Sequence, residues 1–318
     1  MMTHVVMLTG AAGFVGRHTV DEARKRGHKV CAVVRSAKNI PKSWENDAGI
    51  VIVVCDLATD TAVLGSALNN VDSVIHIAAS LSGDDTVQQR DTIKATENIL
   101  AGIEEQSKPV HLVLASTISV YDTMSVRTGG IVDEQTKLEP NAAKRDAYCR
   151  AKLLQETICR NANIAKLSIL RIGAVFGRGR IWNSHIGIGI GPVLLRIGGQ
   201  GELPLCYVRH CAKALVLAVE NPAAVVNVVD DNLPDRATFI ADLQKTGWSK
   251  IVVPLSWKLL DLLALAARPL PVSLPGLLRR PVLHARMKPL KYSNARLHKQ
   301  LGWTPDCSFE QAMQEAKQ

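Results

Sequence analysis

No CxxC pair occurs among the seven cysteines (residues 31, 55, 149, 159, 206, 211 and 307). An odd number cannot all pair within one chain, so neither a disulfide framework nor a zinc site is indicated, and a reducing, cytoplasmic setting is expected. The opening Met1-Met2-Thr3-His4 runs directly into Val5-Val6-Met7-Leu8. It lacks the basic region, apolar stretch and cleavage site of a secretory leader, and the mature chain is expected to start near Met1. An uninterrupted apolar run of about 20 residues, the length a spanning helix needs, is also missing. The nearest approach, residues 257–267, is broken by Lys258 and Asp261 and is expected to form a buried cap helix, with an interfacial membrane helix as the alternative. Residues 268–299 contain no Asp or Glu. They hold Arg268, Arg279, Arg280, Arg286, Lys288, Lys291, Arg296 and Lys299, nearly all of the net charge of +9. No nucleic-acid reading module accompanies that charge, so nucleic acid is not an expected partner. A small anionic substrate or peripheral contact with an anionic membrane is expected instead. No internal repeat or low-complexity tract is present.

What remains is a chain of 318 residues, 47 % apolar and 21 % charged, able to bury a large core. Short β-branched runs alternate with helix-like stretches through the first half: Val5–Leu8, Val30–Val34, Ile50–Val54, Val74–Ile77, Val110–Leu114 and Leu167–Leu170. That alternation predicts an α/β fold, a Rossmann-type doubly wound parallel sheet, with Val225–Val229 adding a strand after a helical 211–220. A glycine-crowded stretch from Gly177 reads as loop and short extended structure, and a proline-punctuated run (Pro269, Pro271, Pro275, Pro281, Pro289) follows Asp231. The expected division is a dinucleotide-binding domain over 1–180, to which 207–230 return. A smaller, mainly helical C-terminal substrate cap takes 181–206 and 231–318.

Thr9-Gly10-Ala11-Ala12-Gly13-Phe14-Val15-Gly16 lies between the first strand and a helix. Its glycines suit a tight turn, close backbone approach to a pyrophosphate and close helix packing, while free N–H groups at the helix start stabilise the anion. The second strand ends Val33-Val34-Arg35-Ser36-Ala37-Lys38. With no carboxylate there, Arg35 can clamp a 2′-phosphate and Lys38 add charge, which points to NADP with NAD as the alternative. Asp56 and Leu57 close the third strand, where the adenine end belongs, and Ala78 and Ala79 after the fourth leave room for the cofactor. Tyr148 and Lys152, four apart on a predicted helix, share a face. An ammonium near a phenol favours phenolate and suits it to exchange a proton with a substrate oxygen. The hydroxyl cluster at the end of the fifth strand, with Ser116 and Thr117, sits where ligands of open α/β sheets collect.

Together TGAAGFVG, DL after the third strand, ASTISVY and YCRAK resemble the extended short-chain dehydrogenase/reductase superfamily, which holds nucleotide-sugar epimerases, dihydroflavonol reductases and 3β-hydroxysteroid dehydrogenases. The likeness continues through LRIGAVFG at 170–177, YVRHCAKA at 207–214 and LGWTP at 301–305. It implies Thr117 as the catalytic hydroxyl with Ser116 as nearest substitute, Tyr148 and Lys152 as the YxxxK pair, and a Lys that also binds the nicotinamide ribose. It implies pairing of two copies through helices 92–106 and 147–160. Departures shape the substrate reading. Ile118 replaces the acidic neighbour of dehydratases. Ala174 and Leu203 stand where sugar-nucleotide enzymes often carry an Asn and a diphosphate-binding Arg, Ile172 replaces a proline, and Thr92 replaces an Asn. An NADP(H)-dependent reductase or dehydrogenase is the leading expectation, with a nucleotide-sugar epimerase as alternative. Arg178 and Arg180 are candidate contacts for a substrate anion.

Overall fold

The computed structural model describes residues 3–267 and 276–317, apart from 246 and 249. Arg268, Pro269, Pro271 and Pro275 lie outside the described residues. The strands used below are β1 Val5–Thr9, β2 Lys29–Val34, β3 Ile50–Val54, β4 Ser73–His76, β5 His111–Thr117, β6 Lys166–Ile172, β7 Gly187–Ile190, β8 Val193–Ile197, β9 Val225–Val228 and β10 Ile251–Leu255. Seven of them form one sheet in the order β9-β6-β5-β4-β1-β2-β3, with every pair parallel. All seven apolar runs read from the sequence are strands of this sheet. Alternation along each run feeds two cores: Val6, Leu8 and Val113 face one layer of helices, while Met7, Leu112 and Leu114 face the other.

The helices used below are α1 Phe14–Lys25, α2 Ala95–Glu104, α3 Ala147–Asn161, α4 Val208–Glu220, α5 Trp257–Ala266 and α6 Arg280–Met287. A π-helical stretch, Gln89–Lys94, leads into α2. A third core, built on Phe176, Leu203, Leu205, Phe239, Ile240 and Phe309, ties the cap to the sheet. The glycine-crowded segment folds as the β7–β8 hairpin, and β10 pairs parallel to β8, so the cap carries a three-stranded sheet among its helices. Glycine at 187 and 189 masked that alternation.

Two expectations for the cap are corrected. Helix α5 is not a buried cap helix: only Ala264 is buried, and Leu259, Leu262, Leu263 and Leu265 are exposed. Its inward side is narrow, resting on Ile197, Leu283 and Met287. Nor are the basic residues after 268 free of acidic neighbours. Arg280 pairs with Asp261, Arg286 with Asp146 and Arg296 with Glu134. Lys288 is buried and donates to the carbonyls of Thr123 and Met124. Distant segments supply the acceptors, which a local charge count cannot see. Among the described residues no helix is long and apolar enough to cross a membrane, and all seven cysteines are free thiols.

Candidate active site

The turn after β1 is built by close contact. Gly10 adopts φ +68°, and a Cβ there would lie 3.1 Å from the Ala78 nitrogen. A Cβ at Gly16 would fall 2.1 Å from the Gly10 carbonyl oxygen, so any side chain would push α1 off the turn. Gly13 caps α1 without a side-chain hydrogen bond, leaving the first-turn amides of Phe14, Val15 and Gly16 facing an uncapped end. This cradle fits an anionic pyrophosphate. Beside it opens a cavity of about 160 Å³ lined by Gly10, Val33, Arg35, Asp56, Leu57, Ala78, Ala79 and Asp91 among others. Six residues picked from scattered turns are thus brought together at the carboxyl edge of β1–β4.

Lys38 is exposed in the turn beyond β2 and is not among the lining residues. The expectation that no carboxylate reaches Arg35 is also corrected. Asp91, carried by the π-helical stretch after β4, lies 3.1 Å from the Arg35 guanidinium. Arg90 bridges Asp91 at 2.5 Å and also pairs with Asp56. Burial opposes ionisation of Asp56, but hydrogen bonds from the Ala58 amide and Arg90 outweigh it and hold the carboxyl below its ordinary range. Nothing in the sequence near Arg35 signals Asp91, because its approach depends on sheet order.

At the end of β5 the Thr117 hydroxyl donates to Ser119 Oγ at 3.3 Å and accepts from the Ser119 amide, and it stands near enough to the Tyr148 phenol to favour its ionised form. The neighbouring Ser116 points elsewhere: it donates to Glu156 at 2.6 Å, and Glu156 is clasped by Arg171. Tyr148 and Lys152 begin α3 one turn apart, with Asp146 capping the helix through the Cys149 amide. Burial pushes the Tyr148 phenol up to about 12, with the nearby Thr117 hydroxyl opposing; the Lys152 ammonium, engaged by the Ala115 carbonyl and Gln155, supplies none of the lowering that the spacing predicts. Burial likewise brings the Lys152 ammonium down to about 8. Lys152 donates to the Ala115 carbonyl at 2.8 Å and to Gln155 Oε1 at 2.9 Å. From Gln155 a buried chain continues to the Thr96 hydroxyl, His76 and the Thr9 hydroxyl, which accepts from the Ile77 and Ala78 amides. Desolvation holds His76 down to about 3, so this link is neutral. Sequence reasoning missed Gln155, Thr96 and His76; a histidine ending a buried strand was the one available signal. Arg180 lies over the Phe14 ring, 5.4 Å from its centre, with Arg178 exposed on the same turn.

Residues 6–230 match the model of the NAD dependent epimerase/dehydratase family. The chain belongs to that family. Its members of the extended short-chain dehydrogenase/reductase type are enzymes that work with a nicotinamide dinucleotide, and so does this one. Among curated proteins it is 28 % identical over 209 residues to a UDP-N-acetyl-alpha-D-glucosaminuronate decarboxylase of Bacillus cytotoxicus, covering 63 % of each chain. It is 26 % identical to a 3-diazoavenalumate denitrifying reductase of a Streptomyces species, covering 94 % of this chain and 95 % of the other. The crystal structure of UDP-glucuronic acid 4-epimerase from Bacillus cereus in complex with NAD superposes with TM-score 0.71 at 20 % identity, covering 98 % of this chain and 97 % of the other, a likeness of fold.

Proposed function

We propose that the enzyme catalyses reversible hydride transfer between NADP(H) and a carbonyl or alcohol carbon of a small anionic substrate. The observation that carries this reading is the approach of the Thr117 hydroxyl to the Tyr148 phenol, one helical turn from the buried Lys152. The cofactor, when bound, supplies the hydride. Tyr148 exchanges the proton at the substrate oxygen, Thr117 hydrogen-bonds that oxygen, and Lys152 holds the nicotinamide ribose. Gly10, Gly13 and Gly16 admit the pyrophosphate to the amides of Phe14, Val15 and Gly16. Asp56 and Leu57 bind the adenine, with Ala78 and Ala79 as its small wall. Arg35 takes the 2′-phosphate by exchanging it for Asp91, and Lys38 adds longer-range attraction. Arg180, with Arg178, meets the substrate anion. Pairing of two copies through 92–106 and 147–160, work in the cytoplasm, and the division into a 1–180 domain with its cap belong to the same reading.

A second reading, a nucleotide-sugar epimerase retaining NAD, is favoured by Asp91, a carboxylate placed where adenosine ribose hydroxyls would be recognised. Against it, Leu203 is fully buried in the cap core where a diphosphate would want a cation. Incubation with NADPH or NADH and a panel of ketones and sugar nucleotides, following absorbance and product stereochemistry, separates the two. Net NADPH consumption is expected. Inversion without consumption would establish the epimerase.

A further inference from the structure

Side chains paired across a ladder stand on one face of a sheet. The registers Ile190–Val193–Ile251 and Ile188–Leu195–Val253 therefore set six aliphatic side chains on the same face of the β7–β8–β10 sheet. The opposite face, with Leu194 and Val252, packs into the cap core. On the outer face Ile190 is 58 % exposed and Ile251 63 %. The row continues through Ile197 and Leu255 onto α5, which packs there through Trp257, Leu260 and Ala264 and turns Leu259, Leu262, Leu263 and Leu265 outward. Sheet face and helix thus form one apolar surface, of a kind that marks an interaction site when it is contiguous.

The charges around it have one sign. Residues 157–201 and 243–260 contain no Asp or Glu, while Arg196, Lys250 and Lys258 lie within or beside the strands and helix. The single acid of α5, Asp261, is already occupied by Arg280 and His284. Lys250 donates to the Gly191 carbonyl at 2.8 Å and stands 5.8 Å from the ring centre of the half-exposed Trp182, both on the Gly189 side at the hairpin end, one sheet thickness from the aliphatic row. Leucines on one side, cations with no free carboxylate beside them, and a rim tryptophan match the chemistry of an anionic lipid surface. A second copy of the same face would bring cation against cation.

We propose that this face of the cap docks on an anionic bilayer, with the α5 leucines and the aliphatic sheet face at the acyl boundary and Lys250 and Lys258 among the headgroups. The contact is independent of which reaction the site performs, and Arg280 of the neighbouring α6 is engaged with Asp261.

Sedimentation of the full chain with vesicles of phosphatidylcholine alone, and with vesicles that also contain phosphatidylglycerol, tests this. Binding to the second kind, weakened by salt, is expected. Leu262→Ser with Leu263→Ser should weaken it by at least about tenfold. Lys250→Gln with Lys258→Gln should weaken it by about fivefold per charge removed. Thermal melting and cofactor affinity should stay at the parent values in both double variants. Absence of binding to phosphatidylglycerol vesicles, or binding that neither double variant alters, would overturn the proposal. So would a solution dimer that the leucine variant dissolves, since a second copy would then cover the face.

Discussion

At the proposed adenosine end Arg35 is 61 % exposed and belongs to a surface chain of ion pairs with Asp91, Arg90 and Asp56. At the catalytic end Lys152, Gln155, Thr96 and His76 are all buried and joined through hydrogen bonds that carry a single formal charge. Water screens the first network, so its partners exchange at small cost when a phosphate arrives. In the second, any unpaired group would pay the full desolvation penalty, which fixes geometry and moves pKa values. On the proposed reading the contrast gives cofactor choice to the exposed end and proton chemistry to the buried one.

The largest effect expected from this contrast is at Tyr148. Tyr148→Phe keeps the ring and removes the transferable proton, so kcat should fall by about 10²–10⁴-fold while the dissociation constant for NADP is retained. Near-native turnover in that variant, on the substrate the panel identifies, would detach proton transfer from the buried end altogether.

Next in size is a pH limb. Burial holds Lys152 at about 8 in the free enzyme, so it is charged below that value and neutral above it. If its charge binds the ribose and favours proton transfer, kcat/KM should decline as pH rises through about 8, a limb that reports the free enzyme. Lys152→Arg, charged throughout, should abolish the limb. Measurements belong below pH 9. Burial keeps Cys149 and Cys159 protonated to about 12 when folded, against 9.0 for an ordinary thiol. The unfolded chain therefore loses those protons first, and stability falls as pH rises above that value. A limb unchanged in Lys152→Arg would assign it to another group.

Cofactor choice should respond more modestly, at the exposed end. Arg35→Ala is expected to weaken NADP by roughly tenfold to a hundredfold, the loss of about 1.5–3 kcal/mol of charge-assisted hydrogen bonding. Asp91→Asn frees Arg35 and removes a repelling carboxylate, so NADP should bind more tightly and NAD less. Paired dissociation constants check this. A native preference for NAD that Asp91→Asn destroys would favour the epimerase reading.

The same contrast explains what was legible in the sequence. The sheet announced itself because each strand is a short β-branched run buried on both faces, and the Gly10–Gly16 turn because steric necessity restricts those positions to glycine. Tyr148 and Lys152 were legible because a helix places residues four apart on one face, and Thr117 only as one of a hydroxyl cluster at a strand end that the family resemblance singles out. Asp91 and the Gln155–Thr96–His76 chain were not, since their contacts join segments that only the sheet order brings together. The β7–β8 hairpin was hidden by glycines that erase strand alternation. The exposure of α5 was hidden because an apolar helix reads the same whether or not anything covers it.

The smallest effect extends the comparison to the cap, where a charge in the basic stretch can be tested for membership of either network. Arg280 makes two hydrogen bonds to Asp261, of 2.7 and 2.9 Å, and His284 approaches the same carboxylate at 2.8 Å, so the cluster ties α6 to α5. Hydrogen bonding from Arg280 is the first cause that brings the Asp261 carboxyl down to about 2, with burial opposing and His284 assisting. A carboxyl held below its unfolded value stabilises the fold above about pH 4 and loses that contribution as pH falls toward 2. Because water still reaches the pair, its worth is about 1 kcal/mol at most. Arg280→Gln should therefore lower Tm by a few degrees at neutral pH, a difference that shrinks in acid as Asp261 protonates in the parent protein too. Substrate KM and its salt dependence should not move. If KM rises instead, with Tm unchanged, Arg280 meets the substrate rather than Asp261, and the cap joins the exposed, exchangeable end of the site.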